Sequence, residues 1–259
     1  MRRQRAASVY NLRMRGRVLV VGGSEEFTGA VYLAGIAALR SGAESVIVMA
    51  PERAAWALNA LSPDLTTRKL KGRYLSLVHE ATIRKQLKTA DVLILGNGAT
   101  TRPGTAVLMR SLMRWPGAKV IDADALKTLR GSAVRNAILT PNEREWNLLK
   151  EHSDTKKLLA NGNVIIKKGN PSRILAAKQQ FSQRRTNRGL EKAGMGDVLA
   201  GLCAGYLARG YPLWSAAMHA TKLGNNIAGM LTKKKRGYFF FASDIVKELR
   251  KAGTRRGMY

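Results

Sequence analysis

Short apolar runs alternate with amphipathic stretches along most of the chain. The runs predict strands at 17–21, 45–49, 91–95, 119–121, 137–139 and 163–166, and a candidate edge strand at 173–177. Helical spacing predicts helices at 29–40, 197–208, 213–230 and 243–250, with Ser243 as the N-cap of the last. Continuous apolar strands that alternate with helices indicate an α/β fold, with a largely parallel sheet covered on both faces.

Polar or glycine-rich segments follow many of these strands. In a parallel sheet, ligands bind beyond the carboxyl ends of the strands, which meet at one edge. We therefore expect one edge to collect residues 22–24, 96–98, 122–124, 140–145 and 167–170, together with the loop 194–197.

The loop 194–197 is the most informative of these segments. Two glycines one residue apart precede Asp197, which stands at the start of an apolar helical pattern. Glycine lets backbone N–H groups approach a ligand closely, and a helix N-terminus favours negative charge. Asp197 could take a proton from a substrate hydroxyl while a phosphate is bound by the backbone amides. The alternative is an ordinary helix start capped by Asp.

Three further positions suit phosphate chemistry. Lys168 follows a strand and precedes a glycine, so its ammonium can reach a phosphate, or it is simply solvated. Glu145, three residues after Asn142, could hold a Mg²⁺-bound water; the alternative is a helix that begins at Asn142 with an acidic first turn. Of Asp122 and Asp124, we expect one to cap a turn and the other to face the site.

Several familiar sites are absent from the sequence. It has no Walker loop, no G-x-G-x-x-G after the first strand and no G-x-S-x-G. Its three histidines have no metal-ligand spacing, and the sequence does not identify which residues would bind a metal. The single cysteine, Cys203, lies in a predicted apolar helix, which favours a buried inert thiol.

The length of 259 residues and the apolar content of 45% suit a globular protein. We expect one domain at 13–251 between basic tails at 1–12 and 252–259. Neither a signal peptide nor a membrane-spanning run is found, which favours a reducing cytoplasm.

The net charge of +28 is abnormal. Basic residues cluster at 2–17, 184–192, 233–236 and 250–256. Such a field attracts polyanions, so non-specific RNA binding is one interpretation. The other interpretation is that proteins of the source organism are basic in general. The clusters are expected to lack the interleaved aromatics of a base-stacking surface.

A family resemblance joins these motifs. Residues 16–24, 28–30, 37–43, 91–98, 121–126, 139–141, 168–172 and 194–201 resemble, in order, segments of the ADP-dependent NAD(P)H-hydrate dehydratase family in its archaeal or bacterial form. The similarity covers about 13–249. It implies the three-layer α/β/α fold of the ribokinase-like superfamily, with helices on both faces of the sheet.

The resemblance also implies a repair reaction and roles for individual residues. ADP, or ATP, would phosphorylate the ring hydroxyl of hydrated NADH or NADPH with Mg²⁺, and loss of phosphate would restore the double bond. Asp197 would be the catalytic base, and homo-oligomers are common among relatives. The implied substrate-binding residues are Ala30, Gly98, Asn142 and Asp197, and the implied nucleotide-binding residues are Lys168, Gly169, Asn170, Pro171, Ser172 and Gly196.

Three positions depart from the family pattern. Asn142 replaces a histidine, Met195 replaces a threonine between the glycines, and the segment 187–193 is shorter than in the family. Asn142 and Glu145 are closer to the N-x-x-E pattern of other ribokinase-like kinases. Two alternatives therefore stay open: a kinase of a small alcohol such as a vitamin precursor, and a catalytically weakened RNA-binding protein.

Overall fold

A mixed sheet forms the centre of the molecule. The computed structural model describes residues 16–183 and 187–252. Its strands are β1 (Arg17–Val21), β2 (Ser45–Pro51), β3 (Thr66–Leu70), β4 (Val92–Leu95), β5 (Ala118–Ile121), β6 (Ala137–Leu139), β7 (Val164–Lys167), β8 (Ser172–Ala176) and β9 (Gln179–Gln183). Their order across the sheet is β3-β2-β1-β4-β5-β6-β7-β8-β9. The strands β1 to β7 run parallel, and β8 and β9 are added antiparallel.

Helices cover both faces of this sheet. They are α1 (Thr28–Ser41), α2 (Glu52–Leu61), α3 (Glu80–Leu87), α4 (Pro103–Leu112), α5 (Ala123–Thr128), α6 (Glu143–His152), α7 (Thr155–Ala160), α8 (Met195–Ala208), α9 (Leu213–Lys234) and α10 (Ala242–Ala252). Alternate residues of each strand point to opposite faces. Val18 and Val20 pack with α1, α2 and α8 to α10, whereas Leu19 and Val21 pack with α3 to α7. This arrangement confirms the predicted three-layer α/β/α fold.

Small residues bring α1 and α8 unusually close. A Cβ at Gly201 would lie 2.3 Å from the backbone oxygen of Ala34, and one at Gly205 would lie 1.9 Å from the Ser41 hydroxyl. Neither position has room for a side chain. The first turn of α8 is therefore fixed relative to α1 by backbone contact.

Two sequence predictions are corrected here. The strand predicted at 173–177 is not an edge strand, because β9 pairs along its outer side. Ser243 is not an N-cap, because α10 already begins at Ala242. Instead, the Asp244 carboxylate accepts the backbone N–H of Phe241 at 2.9 Å and satisfies that helix end.

Other predictions concern single residues and the tails. Cys203 is fully buried, and burial raises the pKa of its thiol, as expected for an inert cysteine. His79 is buried, and its ring bonds the backbone N–H of Ser76 at 3.1 Å. Over the described ranges, no helix is long and apolar enough to cross a bilayer. The predicted N-terminal tail, 1–12, lies outside the described residues. So do residues 253–259 of the predicted C-terminal tail.

Candidate active site

The carboxyl ends of β1 and β4 mark the switch point of the sheet, and we call the space beyond them the crevice. The order in which the strands are added reverses here, because β2 lies on one side of β1 and β4 lies on the other. Ligands of open α/β sheets bind at such a switch point. The backbone N–H of Gly23 donates to the oxygen of Asn97 at 2.8 Å across it. The loops after β1 and β4 therefore form one wall.

The amide of Asn97 joins the buried carboxylate of Asp122 to the partly buried carboxylate of Asp197 beside this crevice. Its Nδ2 donates to Asp122 Oδ2 at 3.0 Å and to Asp197 Oδ1 at 2.6 Å. Asp122 also accepts the Thr140 hydroxyl at 2.6 Å. Thus Asp122, rather than Asp124, faces the site. Asp124 accepts the backbone N–H of Thr100 at 2.8 Å.

Lys168 supplies the positive charge of the cluster. Its Nζ lies 3.0 Å from Asp122 Oδ1 and 3.8 Å from Glu145 Oε2. Burial alone would lower the pKa of Lys168, but Asp122 and Glu145 outweigh it and raise that pKa. Burial raises the pKa of Glu145, against the opposing effect of Lys168. Lys168 therefore stays protonated next to the reacting groups.

Asp197 has a raised pKa. Burial, reinforced by the charge of Asp122, raises its pKa to about 7, and the Asn97 hydrogen bond and Lys168 only partly oppose this shift. A carboxylate with a pKa near the working pH is a better proton acceptor than an ordinary aspartate. The role of Asp197 as a base stays a prediction.

Asp197 lies in the first turn of α8, which begins two residues earlier than the sequence predicts. Gly194 precedes the helix in the left-handed conformation, with φ of 83°, and is enclosed by Leu33 and Ala242. A Cβ at Gly196 would lie 3.0 Å from Lys168 Nζ. Glycine at 196 therefore lets the helix N-terminus approach the ammonium group.

A cavity of about 490 Å³ extends from this cluster between the sheet and the helices α8 and α9. Its lining includes the charged cluster of Asp122, Glu145, Lys168 and Asp197. The Thr221 hydroxyl also belongs to the lining and is buried with no hydrogen-bond partner within the part of the chain described. The larger apolar residues of the lining are Ile166, Leu190, Met195, Val198, Leu199, Leu202 and Ile245.

The structure divides the predicted site residues into two groups. Those that line the cavity are Asn142, Lys168, Gly169, Ser172, Gly196 and Asp197. Asn170 and Pro171 lie outside its lining, on an exposed turn. Ala30 and Gly98 meet on the crevice side, where a Cβ at Gly98 would come within 3.1 Å of Ala30 Cβ.

Asn142 and Glu145 act first as a helix start. The Asn142 side chain accepts the Glu145 N–H at 3.0 Å, and the Glu145 carboxylate accepts the Asn142 N–H at 2.9 Å. This capping box is the structural alternative that the sequence left open. It also fixes Glu145, only 4% exposed, beside Lys168. Glu145 thus both caps α6 and lies next to Lys168.

Sequence reasoning missed the apolar lining of the cavity and the Thr221 hydroxyl. Met195 was expected only as a missing hydroxyl, but its side chain is buried and forms part of that lining. Much of the lining comes from α8 and α9, whose apolar faces have the same pattern whether they meet a core or a ligand. Thr140, in contrast, lies in the segment 140–145 that the sequence predicted at this edge.

The chain has the fold of the solved ribokinase-like structures to which it is similar. A ribokinase-like superfamily protein from Enterococcus faecalis has the same fold, with a TM-score of 0.81 and 22% sequence identity over 97% of this chain and 90% of the other.

Residues 18–251 match the NAD(P)H-hydrate dehydratase family, and the chain belongs to that family. It is 30% identical to the ADP-dependent (S)-NAD(P)H-hydrate dehydratase of Nitrosopumilus maritimus, over 90% of this chain and 87% of that protein. It is 34% identical to the bifunctional NAD(P)H-hydrate repair enzyme of Pyrobaculum aerophilum, over 90% of this chain and 50% of that protein. The chain therefore spans about half the length of several curated relatives that it matches.

Proposed function

We propose that this protein is a nucleotide-dependent NAD(P)H-hydrate dehydratase, a hydro-lyase that repairs hydrated NADH or NADPH. The observation that carries the proposal is the partly buried Asp197, with its pKa raised to about 7, in the lining of a cavity that it shares with Lys168. The family to which the chain belongs and the name of the N. maritimus relative support it.

The proposed reaction has two steps. Asp197 takes the proton of the ring hydroxyl, whose oxygen attacks the β-phosphorus of ADP and releases AMP. The phosphate then leaves with the bonding electrons, a ring proton is lost, and the carbon–carbon double bond forms. The overall change is hydrate plus ADP to NAD(P)H, AMP and inorganic phosphate. Lys168, beside Gly196, is placed to offset charge on the transferred phosphoryl group.

We assign the two ligands to opposite sides of Asp197. The hydrated ring would lie in the crevice near Ala30 and Gly98, as the family resemblance implies. The nucleotide would occupy the cavity, with its phosphates toward Lys168 and the 169–172 turn. The apolar part of the lining and the Thr221 hydroxyl suit a purine ring that carries its own polar atoms.

The donor set near the phosphate position fits nucleotide-bound Mg²⁺. Among the described residues, no group of three or more His, Cys, Asp or Glu side chains is arranged to hold a metal alone. Magnesium bound to nucleotide phosphates needs only one or two carboxylates and keeps several waters. Glu145 is placed to accept hydrogen bonds from such a water. The metal would supply charge neutralisation at the phosphates.

Incubation with chemically hydrated NADH or NADPH tests the proposal. With ADP or ATP and Mg²⁺, we expect the absorbance of reduced nicotinamide to return, with one phosphate released per molecule restored. Asp197→Asn and a reaction without nucleotide are the controls. Nucleotide consumption that yields a stable phosphate ester of a small alcohol, with no restored nicotinamide, would instead identify the kinase suggested by Asn142 and Glu145.

Two finer expectations also stay proposals. A cytoplasmic location accords with the buried, unpaired Cys203. Self-association has only the family resemblance behind it, and light scattering in solution tests it.

A further inference from the structure

One basic cluster adjoins a group of exposed aromatic side chains, contrary to the expectation from sequence. Lys233, Lys234, Lys235 and Arg236 are all exposed at the end of α9. The loop that follows exposes Tyr238 by 46%, Phe239 by 76% and Phe241 by 69%. We call residues 233–241 the basic–aromatic loop. Exposed large apolar side chains next to a charged cluster mark an interaction surface.

The fold holds this loop in one shape. Phe240 is fully buried, and its ring packs so closely on Gly189 that a Cβ there would lie 2.2 Å away. The Lys192 ammonium donates to the backbone oxygen of Phe240 at 3.1 Å and to that of Tyr238. One buried ring therefore anchors the loop, while its neighbours on both sides stay outside the core.

The loop keeps free positive charge beside its rings. Lys234 lies 3.6 Å from Glu248, and Lys235 lies 3.0 Å from Asp244. Lys233 and Arg236 have no carboxylate partner within the described parts of the chain. Adjacent cations and aromatic rings match the two components of a single-stranded nucleic acid, whose phosphates need cations and whose bases stack on rings.

The exposure of Phe239 and the charge of the molecule suit a polyanion with stacking groups. The Phe239 ring is 76% exposed beside Gly237, where a Cβ would come within 2.9 Å of it, so a base can reach the ring. The net charge of +28 attracts the phosphates of such a polyanion.

We propose that the basic–aromatic loop binds single-stranded RNA without sequence specificity, by stacking bases on Phe239 and Phe241 while Lys233 and Arg236 contact phosphates. The proposal is independent of the dehydratase reaction, because none of these four residues lines the cavity.

Fluorescence anisotropy with a labelled 12-nucleotide oligouridine tests it on the full chain. Phe239→Ser combined with Phe241→Ser should weaken binding by at least about thirtyfold, since the loss of each stacking ring costs about fivefold or more. The salt dependence of this variant should stay unchanged. Lys233→Gln combined with Arg236→Gln should lower the slope of log affinity against log salt by about 1.4, at roughly 0.7 per phosphate contact.

Matched controls use exposed residues elsewhere. Trp56→Ser removes an aromatic ring that is 59% exposed, and Lys85→Gln combined with Lys88→Gln removes two exposed cations. Both variants should bind oligouridine like the parent. Equal binding by the Phe239 and Phe241 double variant, an equal loss in the controls, or binding to phosphatidylserine vesicles but not to oligouridine would each overturn the proposal.

Discussion

At the scale of single residues, Asp197 links activity to pH. Its carboxylate must be ionised to accept a proton, so kcat/KM for dehydration should fall about tenfold per pH unit below about 7. Asp197→Asn should lower turnover by about 10²–10⁴-fold, the usual contribution of a general base. A pH series of initial rates with both proteins checks this, with Asp64→Asn, an exposed carboxylate, as the control.

The same substitution should stabilise the protein. Because burial raises the folded-state pKa of Asp197 from 3.8 to about 7, its stabilising contribution is complete below pH 3.8 and is lost as the pH rises through 7. Asn does not ionise, so the advantage of Asp197→Asn in urea unfolding should be larger at pH 8 than at pH 5. An equal difference at both pH values would show that the carboxylate is not strained in the folded state.

Lys119 has a pKa that burial lowers, whereas burial raises the pKa of Asp197. It is fully buried in β5, its Nζ donates to the Arg135 oxygen at 2.5 Å, and burial lowers its pKa to about 8. Lys119→Met should raise the free energy of unfolding at pH 7 by about 1–3 kcal/mol.

That gain should depend on pH. The unfolded lysine keeps its proton up to about 10.5, so the parent protein gains stability as the pH rises from 8 to 10.5. The advantage of Lys119→Met should therefore shrink over that range. Urea titrations of both proteins at pH 7 and pH 10 measure it, and an advantage that grows with pH would contradict the prediction.

At the scale of elements, the contact between α1 and α8 leaves no room for larger side chains at Gly201 or Gly205. Gly201→Ala places a methyl group 2.3 Å from the Ala34 oxygen, so the helices must separate. We expect a loss of about 1–3 kcal/mol, as for other overpacked interiors. Since α8 carries Asp197, turnover should fall as well.

Gly229→Ala in α9 is the matched control. A Cβ there has no other atom within 4 Å, so the usual helix preference for Ala should stabilise the protein by about 0.5–1 kcal/mol. Thermal unfolding of both variants, together with their dehydratase rates, gives the comparison. If Gly201→Ala proved as stable as Gly229→Ala, the close packing of α1 on α8 would be wrong.

Sequence patterns predicted the central elements but not the outer ones. The strands β1, β2 and β4 to β7 were found because both faces are buried and their sequences are apolar throughout. β3, with Arg68 and Lys69, and β9, with its glutamines, carry polar side chains on outer strands, so neither has that signature. The expectation that ligands bind beyond the carboxyl ends of the strands also brought Asp122, Lys168 and Asp197 to one edge. It could not predict that Asn97 hydrogen-bonds Asp197, because these two residues lie 100 positions apart in the chain.

At the scale of the whole molecule, the excess of positive charge opposes the folded state. A net charge of +28 repels itself more strongly in the compact protein than in the expanded chain. Salt screens this repulsion, so raising NaCl from about 0.02 to 0.3 M should increase Tm by roughly 2–4 °C, equivalent to about 1 kcal/mol. Calorimetry checks this, with glucose at matched osmolality as the control. A Tm that is unchanged or lower would show that local ion pairs outweigh the net charge.

The close packing of α8 on α1 has a consequence during protein synthesis. The two helices lie about 160 residues apart in the chain. At a ribosomal rate of 5–20 residues per second, α1 therefore leaves the ribosome roughly 8–30 s before its partner exists. During that interval its face of small residues, and the side of β1 beneath it, remain uncovered on the nascent chain. The carboxylate of Asp197 is thus positioned only after α8 has been synthesised and has packed on α1.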